Sequence, residues 1–323
     1  MTAVTGTNWT AYDAATMTAR EIYGRTLAQM GKTNEKIVGV TADLSKTTAI
    51  IHFEKAFPNR FFNVGIAEQN MMGIAAGLAK AGLIPFASTM AVFASMRASE
   101  QVRTDIAYQN LPVKIIATHA GISFGHAGTT HHCTEDIAIM KSMANMTVIC
   151  PADGIETSKA VRACIDVPGP VYIRIGRGFE PPVYESEGYN YKIGKAITMN
   201  EGTDFTIIAC GIAVLQSIQA AKTLKEQDGL SVRVVNMHTI KPIDEVAILN
   251  AVKDTRRILT VEEHNIIGGL GDSVASVIAG SGKGCIFKEL GLYDGYATIG
   301  YAEDLYSHYG LDANGIIGQV RSM

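Results

Sequence analysis

The sequence predicts an α/β protein of two domains, each a mostly parallel sheet flanked by helices. Two observations point to this class. Short, mainly apolar runs typical of buried parallel strands alternate with segments of helical periodicity. A hydrophilic stretch with proline and glycine, at 181–191, then changes the composition and predicts a linker. We therefore expect one domain at 1–180 and a second domain at 192–323.

The first domain opens with an amphipathic helix, which Gly31 ends. Strands are predicted at the short apolar runs 37–40, 83–87, 113–118, 147–150 and 171–174. Apolar residues at three- and four-residue spacing predict helices after residue 68, at 90–106 and at 154–165. This alternation implies a parallel sheet that helices cover on both faces.

The second domain follows the same pattern. Strands are predicted at 205–211, 232–235 and 258–262, and helices at 214–227 and 271–277. The sequence Gly-Gly-Leu-Gly that introduces the last helix lacks the spacing of a dinucleotide-binding loop. We therefore expect it to serve close packing or subunit contact.

The composition is that of an ordinary globular protein. The chain has 323 residues, of which 47% are hydrophobic and 18% charged, and its net charge is −3. This charge gives no reason to expect nucleic acid or an anionic membrane as a partner. No apolar run reaches the roughly 18 residues that span a bilayer, and the polar residues 1–19 do not resemble a secretory signal.

The five cysteines are widely spaced and form no Cys-x-x-Cys pair. They are Cys133, Cys150, Cys164, Cys210 and Cys285. An odd number without paired spacing indicates reduced thiols rather than a disulfide framework or a zinc site. We therefore expect a cytoplasmic protein.

The stretch at 61–72 carries the strongest functional signal. Phe61, Phe62 and Val64 favour a strand, and a helix begins at Glu68 among apolar and small residues. A carboxylate at a helix N-terminus in such surroundings is suited to bonding a ring nitrogen and exchanging a proton with it. The alternative is an ordinary first-turn acid that complements the helix dipole.

The loop at 119–132 contains four histidines, His119, His126, His131 and His132. Its glycines let the backbone turn tightly and approach a ligand. A metal site is disfavoured because neither a helical His-x-x-x-His pair nor a Cys-x-x-Cys pair lies nearby. An imidazole here can stabilise an oxyanion or shuttle a proton on substrate hydroxyls. The alternative for each histidine is that it caps a neighbouring carbonyl.

The sequence Phe-x-Asn-Val-Gly-Ile-Ala-Glu-Gln-Asn-Met, at 61–71, resembles the signature of the pyrimidine-binding domain of transketolases, which use thiamine diphosphate. The resemblance implies that Glu68 contacts N1′ of the aminopyrimidine and activates the cofactor. It also implies that Phe93 packs on the aminopyrimidine ring and that the loop of Asp43 and Leu44 lies near the cofactor. The alternatives are core packing for Phe93 and a simple turn for Asp43.

The segment from Gly125 to His131 resembles the family's loop Gly-Glu-Asp-Gly-x-Thr-His. The resemblance implies that His131 and His119 handle substrate oxygens. The residues it assigns to the substrate phosphate are Arg20, Thr47, His119 and Arg174. Two guanidinium groups, a hydroxyl and an imidazole suit a phosphate dianion.

Three positions depart from the family pattern. Ala127 replaces an aspartate that reads a sugar hydroxyl, His126 replaces the neighbouring glutamate, and Met90 stands where an aromatic residue is usual. We expect these changes to affect the choice of sugar rather than the class of reaction.

The resemblance covers only the second half of a full transketolase. The family's first domain binds the diphosphate and Mg²⁺ through a Gly-Asp-Gly motif with a later Asn, and this sequence lacks that motif. We therefore expect the smaller subunit of a split transketolase, which transfers a two-carbon ketol unit between sugar phosphates. A separate partner subunit would bind the diphosphate and Mg²⁺, in an α2β2 assembly.

Two enzyme alternatives are a 1-deoxyxylulose-5-phosphate synthase-like protein and the β subunit of a 2-oxoacid dehydrogenase. The phosphate-binding set disfavours the dehydrogenase, because its substrate carries no phosphate. A further alternative is a non-catalytic scaffold subunit that kept the fold. The intact Glu68 and histidines weigh against it.

Overall fold

A computed structural model describes residues 9–178 and 180–323. The segment predicted not to be a secretory signal therefore lies partly outside the described residues. The twelve strands in this part of the chain are β1 Ile37–Thr41, β2 Phe61–Asn63, β3 Ile84–Met90, β4 Lys114–Thr118, β5 Thr147–Ile149, β6 Val171–Arg174, β7 Ile197–Asn200, β8 Phe205–Ala209, β9 Val232–Asn236, β10 Thr239–Lys241, β11 Arg257–Asn265 and β12 Ile286–Leu292.

Helices connect the strands. They are α1 Ala11–Thr16, α2 Ala19–Gly31, α3 Ile51–Ala56, α4 Glu68–Lys80, α5 Ser99–Gln101, α6 Asp136–Ser142, α7 Gly154–Ala163, α8 Ala213–Asp228, α9 Glu245–Asp254, α10 Leu270–Gly280, α11 Ala302–His308 and α12 Ala313–Arg321. Wide, π-type turns at Phe93–Arg97 and Val102–Ala107 flank α5, so the predicted helix at 90–106 is irregular. π-type turns occur frequently at functional sites.

The strands form two sheets. The first has the order β10-β5-β6-β4-β3-β1-β2, and the second has the order β12-β11-β8-β9-β7. Neighbouring strands are parallel except for β10 beside β5 and β7 beside β9. The predicted class, two domains with mostly parallel sheets and flanking helices, is confirmed.

The inner strands β1, β4 and β6 of the first sheet are buried on both faces. Successive side chains of a strand point to opposite sides, and helices cover both sides. On β4, Ile115 packs with the residues of α4, whereas Ile116 packs with Tyr23 and Leu27 of α2. All five residues of β4 are buried. This explains the nearly continuous apolar run, which is typical of a parallel strand covered twice.

The segment predicted as a hydrophilic linker is packed against the first domain. Tyr184 is buried, its ring stacks on Tyr189 with centroids 4.0 Å apart, and its hydroxyl donates to Glu156. Asp153 accepts hydrogen bonds from the backbone N–H groups of Val183 and Tyr184. The tyrosines of this stretch therefore act as anchors, although its prolines and charges predict an extended connection.

Two further observations concern membrane-spanning helices and the state of the cysteines. In the described part of the chain, no helix combines the length and the apolar character that a bilayer crossing requires. All five cysteines are free thiols, and Cys285 is the one that is partly exposed.

Candidate active site

The candidate site residues follow the carboxyl ends of adjacent strands in the first sheet. Asp43 comes after β1, Glu68 after β2, Phe93 after β3 and His119 directly after β4. These strands are parallel neighbours, so their carboxyl ends meet at one end of the sheet. Open α/β sheets bind their ligands at this end.

Glu68 is the first residue of α4 and is buried, with 1% of its surface exposed. Its Oε2 accepts a hydrogen bond from Arg97 Nη1 at 2.7 Å, and its Oε1 lies 3.4 Å from the hydroxyl of Thr89. A buried carboxylate needs such partners, because burying an unpaired charge is costly. The guanidinium of Arg97 thus neutralises Glu68 in this chain.

Phe93 lies beside this ion pair. The guanidinium carbon of Arg97 is 4.0 Å from the centre of the Phe93 ring, a cation–π distance. On another side, His131 meets the Phe93 ring edge-on, with centroids 5.6 Å apart. Phe93 therefore joins the carboxylate of Glu68 to the histidine loop, the segment 119–132.

Asp43 is tied to the signature stretch by a reciprocal pair of hydrogen bonds. Its backbone N–H donates to Asn63 Oδ1 at 3.0 Å, and Asn63 Nδ2 donates to Asp43 Oδ1 at 3.1 Å. Its φ of 60° is left-handed, a region that aspartate tolerates better than most residues. Leu44 is half-buried and packs on the core beneath the site.

The histidine loop is organised around Phe124. The rings of His119, His126 and His131 lie 4.9, 5.0 and 5.5 Å from the Phe124 ring, centroid to centroid. The guanidinium of Arg177 lies 4.6 Å from the same ring. The imidazoles thus surround an aromatic side chain, and among the described residues no group of three metal-ligating side chains comes together.

His119 is buried and its Nδ1 lies 2.8 Å from the hydroxyl of Thr118. Burial, together with the positive charges of Arg20 and Arg177, lowers the pKa of His119 to about 3. His119 is therefore a neutral imidazole at physiological pH. His131 is half-buried, and its Nδ1 lies 2.9 Å from the hydroxyl of Thr130.

Arg20, near the start of α2, meets two loops of the site. Its Nε donates to the carbonyl of Arg177 at 2.9 Å, and its Nη1 donates to the carbonyl of Thr47. Burial lowers the pKa of Arg20. Thr47 is thus brought to Arg20 as predicted from the resemblance, but the contact uses its backbone carbonyl.

Arg174 does not fit its predicted phosphate contact. It is buried as the last residue of β6, and its Nε donates to Asp136 Oδ1 and Oδ2 at 3.1 and 3.0 Å. Its Nη2 donates to the carbonyls of Cys133 and Glu263. The guanidinium is directed into the protein because Asp136, at the start of α6, is a buried carboxylate that needs a cation.

Arg177, three residues later, is the arginine that reaches the histidine loop. It is half-buried, its guanidinium lies on Phe124, and its backbone N–H donates to Ser123 Oγ. Sequence reasoning missed Arg177, Arg97 and Phe124. For Arg177 a signal existed: a residue inside a buried strand faces the core, whereas the loop beyond the strand faces the ligand-binding end.

The departures from the family pattern occupy different environments. His126 is exposed and Ala127 is half-exposed, whereas Met90 is buried at the end of β3. Beside His126 a cavity of about 370 Å³ lies between the two domains, with His126 and Arg177 on one side and Tyr301 on the other. Both domains therefore contribute to the surroundings of the histidine loop.

Comparisons with known proteins cover nearly the whole chain. Residues 15–180 match the family described as transketolase, pyrimidine binding domain, and residues 194–316 match transketolase, C-terminal domain. A protein of Methanocaldococcus jannaschii described as a transketolase C-terminal section is 46% identical over 302 residues, 93% of this chain and 94% of that protein. One of the subunits of the apulose-4-phosphate transketolase of Phocaeicola vulgatus is 39% identical over 297 residues, 92% of this chain and 94% of that protein.

A solved structure is also similar to this chain over nearly its whole length. A split gene transketolase, described as an inactive β4 tetramer, superposes with a TM-score of 0.85 at 43% sequence identity. The superposition covers 95% of this chain and 97% of that one.

Proposed function

This chain belongs to the transketolase family, with the family's pyrimidine-binding and C-terminal domains, and we propose that it is the smaller subunit of a split transketolase. In this role it transfers a two-carbon ketol unit between sugar phosphates. The observation that carries the proposal is the buried carboxylate of Glu68 at the ligand-binding end of the sheet, with Phe93 and the histidine loop beside it. The near full-length match to a protein described as a transketolase C-terminal section supports the same assignment.

The residues present fit the pyrimidine ring of thiamine diphosphate. The carboxylate of Glu68 is a buried hydrogen-bond acceptor. The guanidinium of Arg97 contacts both this carboxylate and the flat ring of Phe93, so the two groups lie on either side of one side chain. When bound, the cofactor supplies the electron sink that carries the two-carbon unit. Glu68 would hold the proton at the ring nitrogen, and Phe93 would orient the ring and exclude water.

The histidines would act on the oxygens of the substrate. His119 is a neutral imidazole whose Nδ1 is engaged by Thr118, so its Nε2 is left to exchange a hydrogen bond with a hydroxyl. The Nδ1 of His131 likewise lies 2.9 Å from the hydroxyl of Thr130. We assign them to holding and moving protons at the carbonyl and hydroxyl oxygens.

The phosphate of the substrate would lie near Arg20, Arg177 and His119. These three side chains come together where the loops after β4 and β6 meet the start of α2. A planar guanidinium offers several donors to a phosphate, and a dianion suits a region with two of them. We therefore propose Arg177, in place of Arg174, as the second phosphate-binding arginine.

A second polypeptide would hold the diphosphate and Mg²⁺. The relatives include one subunit of an apulose-4-phosphate transketolase and a split gene protein, and their names indicate enzymes made of more than one chain. A diphosphate needs a divalent cation with its own ligands, and the described residues offer no cluster of three such side chains. We propose an α2β2 assembly with the active site between the two kinds of chain.

Reconstitution tests the proposal. The chain is mixed with the candidate partner subunit, thiamine diphosphate and Mg²⁺, and two-carbon transfer from a panel of ketose phosphates is followed by mass spectrometry. We expect transfer in the mixture and none from either chain alone. Transfer by this chain without a partner would contradict the split site, and a cofactor-loaded complex that is inactive on every donor would favour a scaffold role.

A further inference from the structure

The histidine loop is closed at its base by one pair of residues. Gly121 and Cys133 exchange two backbone hydrogen bonds, of 2.9 and 2.8 Å, as an isolated antiparallel bridge. Residues 122–132, with His126 and His131, project from this base. The position of the two imidazoles therefore depends on how the base is held.

Glu263, at the carboxyl end of β11 in the C-terminal domain, reaches this base. Its Oε1 accepts the backbone N–H of Ile122 at 2.8 Å and the hydroxyl of Tyr306 at 3.0 Å. A Cβ atom on Gly121 would lie 2.3 Å from the carboxyl carbon of Glu263, so glycine is required for this approach. A carboxylate that accepts a backbone N–H makes one of the stronger hydrogen bonds of a protein.

The other end of the base is held through Arg174. Its Nη2 donates to the carbonyl of Glu263 at 2.8 Å and to the carbonyl of Cys133 at 3.3 Å. Its Nη1 also lies 3.9 Å from Glu263 Oε2. Glu263 thus contacts the segment that enters the loop directly, at Ile122, and the segment that leaves it, at Cys133, through a buried guanidinium.

The C-terminal domain meets the middle of the loop as well. The hydroxyl of Thr129 donates to the carbonyl of Ala297 at 3.3 Å, and Gly300 N–H lies 3.4 Å from the carbonyl of Gly125. These contacts are longer than the hydrogen bonds that the carboxylate of Glu263 accepts. The base is therefore the point at which this domain holds the loop most firmly.

We propose that Glu263 is a positioning residue that sets the geometry of the histidine loop, so that the C-terminal domain takes part in the chemistry through Ile122 and Arg174. The inference rests on the proposed function only where it concerns activity. A displacement of a reacting group by about 1 Å is enough to lower a rate by about 100-fold. A carboxylate anchored in a second domain is suited to prevent such a shift.

The neighbouring Glu262 provides a matched control. It is equally buried, burial raises the pKa of both carboxyl groups to about 7, and it accepts hydrogen bonds from the N–H groups of Leu270 and Gly271. These contacts lie at the start of α10, within the C-terminal domain. Glu262→Ala therefore creates a similar cavity but removes no hydrogen bond at the base of the loop.

Amide hydrogen exchange on the isolated chain is the decisive measurement. In Glu263→Ala we expect peptides covering 121–133 to exchange about tenfold faster or more, and peptides covering the start of α10 to stay unchanged. Glu262→Ala should give the reverse. Glu263→Gln should restore protection at 121–133, because its amide oxygen can still accept from Ile122 and Tyr306.

Unchanged exchange at 121–133 in Glu263→Ala would overturn the proposal, as would an equal effect of Glu262→Ala. If Glu263→Ala does not fold, Tyr306→Phe removes one donor to the same oxygen and should speed exchange in the same peptides to a smaller degree. In the reconstituted enzyme, kcat should fall about 10-fold or more in Glu263→Ala, with recovery in Glu263→Gln. Absence of ketol transfer by the wild-type mixture counts against the proposed function alone, and the exchange data still decide the role of Glu263.

Discussion

Arg97 Nη1 lies 2.7 Å from Glu68 Oε2, and the same guanidinium covers the ring of Phe93 at 4.0 Å. Arg97 therefore occupies both surfaces that we assign to the aminopyrimidine. The side chain of Arg97 is 45% exposed, so solvent lies next to it and the guanidinium has room to move outward. A ring that stacks on Phe93 and bonds to Glu68 has to displace it.

The ion pair of Glu68 and Arg97 should contribute to the stability of the isolated chain. Breaking a fully buried pair costs about 3–5 kcal/mol, and because Arg97 is half-exposed we expect Arg97→Ala to lower the free energy of unfolding by about 1–2 kcal/mol. Urea denaturation of the two single variants and the Glu68→Gln, Arg97→Ala double variant gives the coupling energy. Arg103→Ala, at an exposed arginine nearby, is the control. Additive single effects would contradict the pairing.

Glu68 should be indispensable for ketol transfer. In the reconstituted enzyme we expect Glu68→Gln to lower kcat by about 10²- to 10⁴-fold, because an amide cannot exchange the proton that a carboxylate exchanges with a ring nitrogen. Glu100→Gln changes an exposed carboxylate of the same region and should leave kcat unchanged. Full activity in Glu68→Gln would remove Glu68 from the catalytic set.

The two arginines at the end of β6 should differ in their effect on stability. Arg174→Ala leaves the buried Asp136 without its cation, and we expect the free energy of unfolding to fall by about 3–5 kcal/mol. Arg177 is half-buried in a loop, so Arg177→Ala should change it by less than about 1 kcal/mol. Denaturation followed by circular dichroism measures both. Similar losses in the two variants would contradict the contrast.

Arg177 should instead determine the affinity for phosphorylated sugars. We expect Arg177→Ala to raise the KM for a ketose phosphate about 10-fold or more, because a charged hydrogen bond to phosphate is lost, with a smaller change in kcat. An unphosphorylated ketose donor is the internal control, since its KM should not respond. Equal responses of the two donors would argue against a phosphate contact.

His264 should make the stability of the chain depend on pH. Its Nε2 accepts the N–H of Ile137 at 3.2 Å, and burial lowers its pKa to about 4. The pKa of about 6.5 in the unfolded chain is higher, so between pH 6.5 and 4 the unfolded chain takes up a proton that the folded chain does not. The stabilisation that the neutral side chain of His264 gives the folded chain is therefore complete above pH 6.5 and is lost as the pH falls toward 4.

This dependence can be isolated by comparing the wild type with His264→Gln. The difference between their free energies of unfolding should narrow by up to about 1.4 kcal/mol for each pH unit between 6.5 and 4. His126→Gln, at an exposed histidine, should run parallel to the wild type. A difference between wild type and His264→Gln that stays constant over this range would show that His264 does not titrate as described.

The sequence was sufficient to locate the ligand-binding end of the first sheet. Apolar runs mark the strands, and the polar or glycine-rich segments after 41 and 118 mark where two of those strands end. Parallel neighbours bring these ends together, and Phe93 after β3 and His131 in the loop after β4 do meet, with ring centroids 5.6 Å apart. Glu68 was identified from a motif, and the structure adds that it is buried.

The details that the sequence did not predict depend on long-range pairing. Arg174 and Arg177 are three residues apart and chemically identical, and it is the buried Asp136 of α6 that draws the first inward. The partner of Glu68 is Arg97, which lies 29 positions away on a π-type turn that no simple periodicity indicates. Packing between distant elements determines which arginine turns inward and which residue pairs with Glu68, so the local sequence pattern does not predict either one.

The antiparallel pairing of β10 with β5 has a practical consequence for dividing the molecule. Thr239–Lys241 belongs to the second half of the chain, yet it completes the first sheet, and Lys241 Nζ donates to two carbonyls around the end of α6. A fragment that stops at the linker would leave β5 as a free edge with unpaired backbone groups. Such an edge invites pairing with another copy, so the fragment should self-associate through an edge that the intact chain keeps covered.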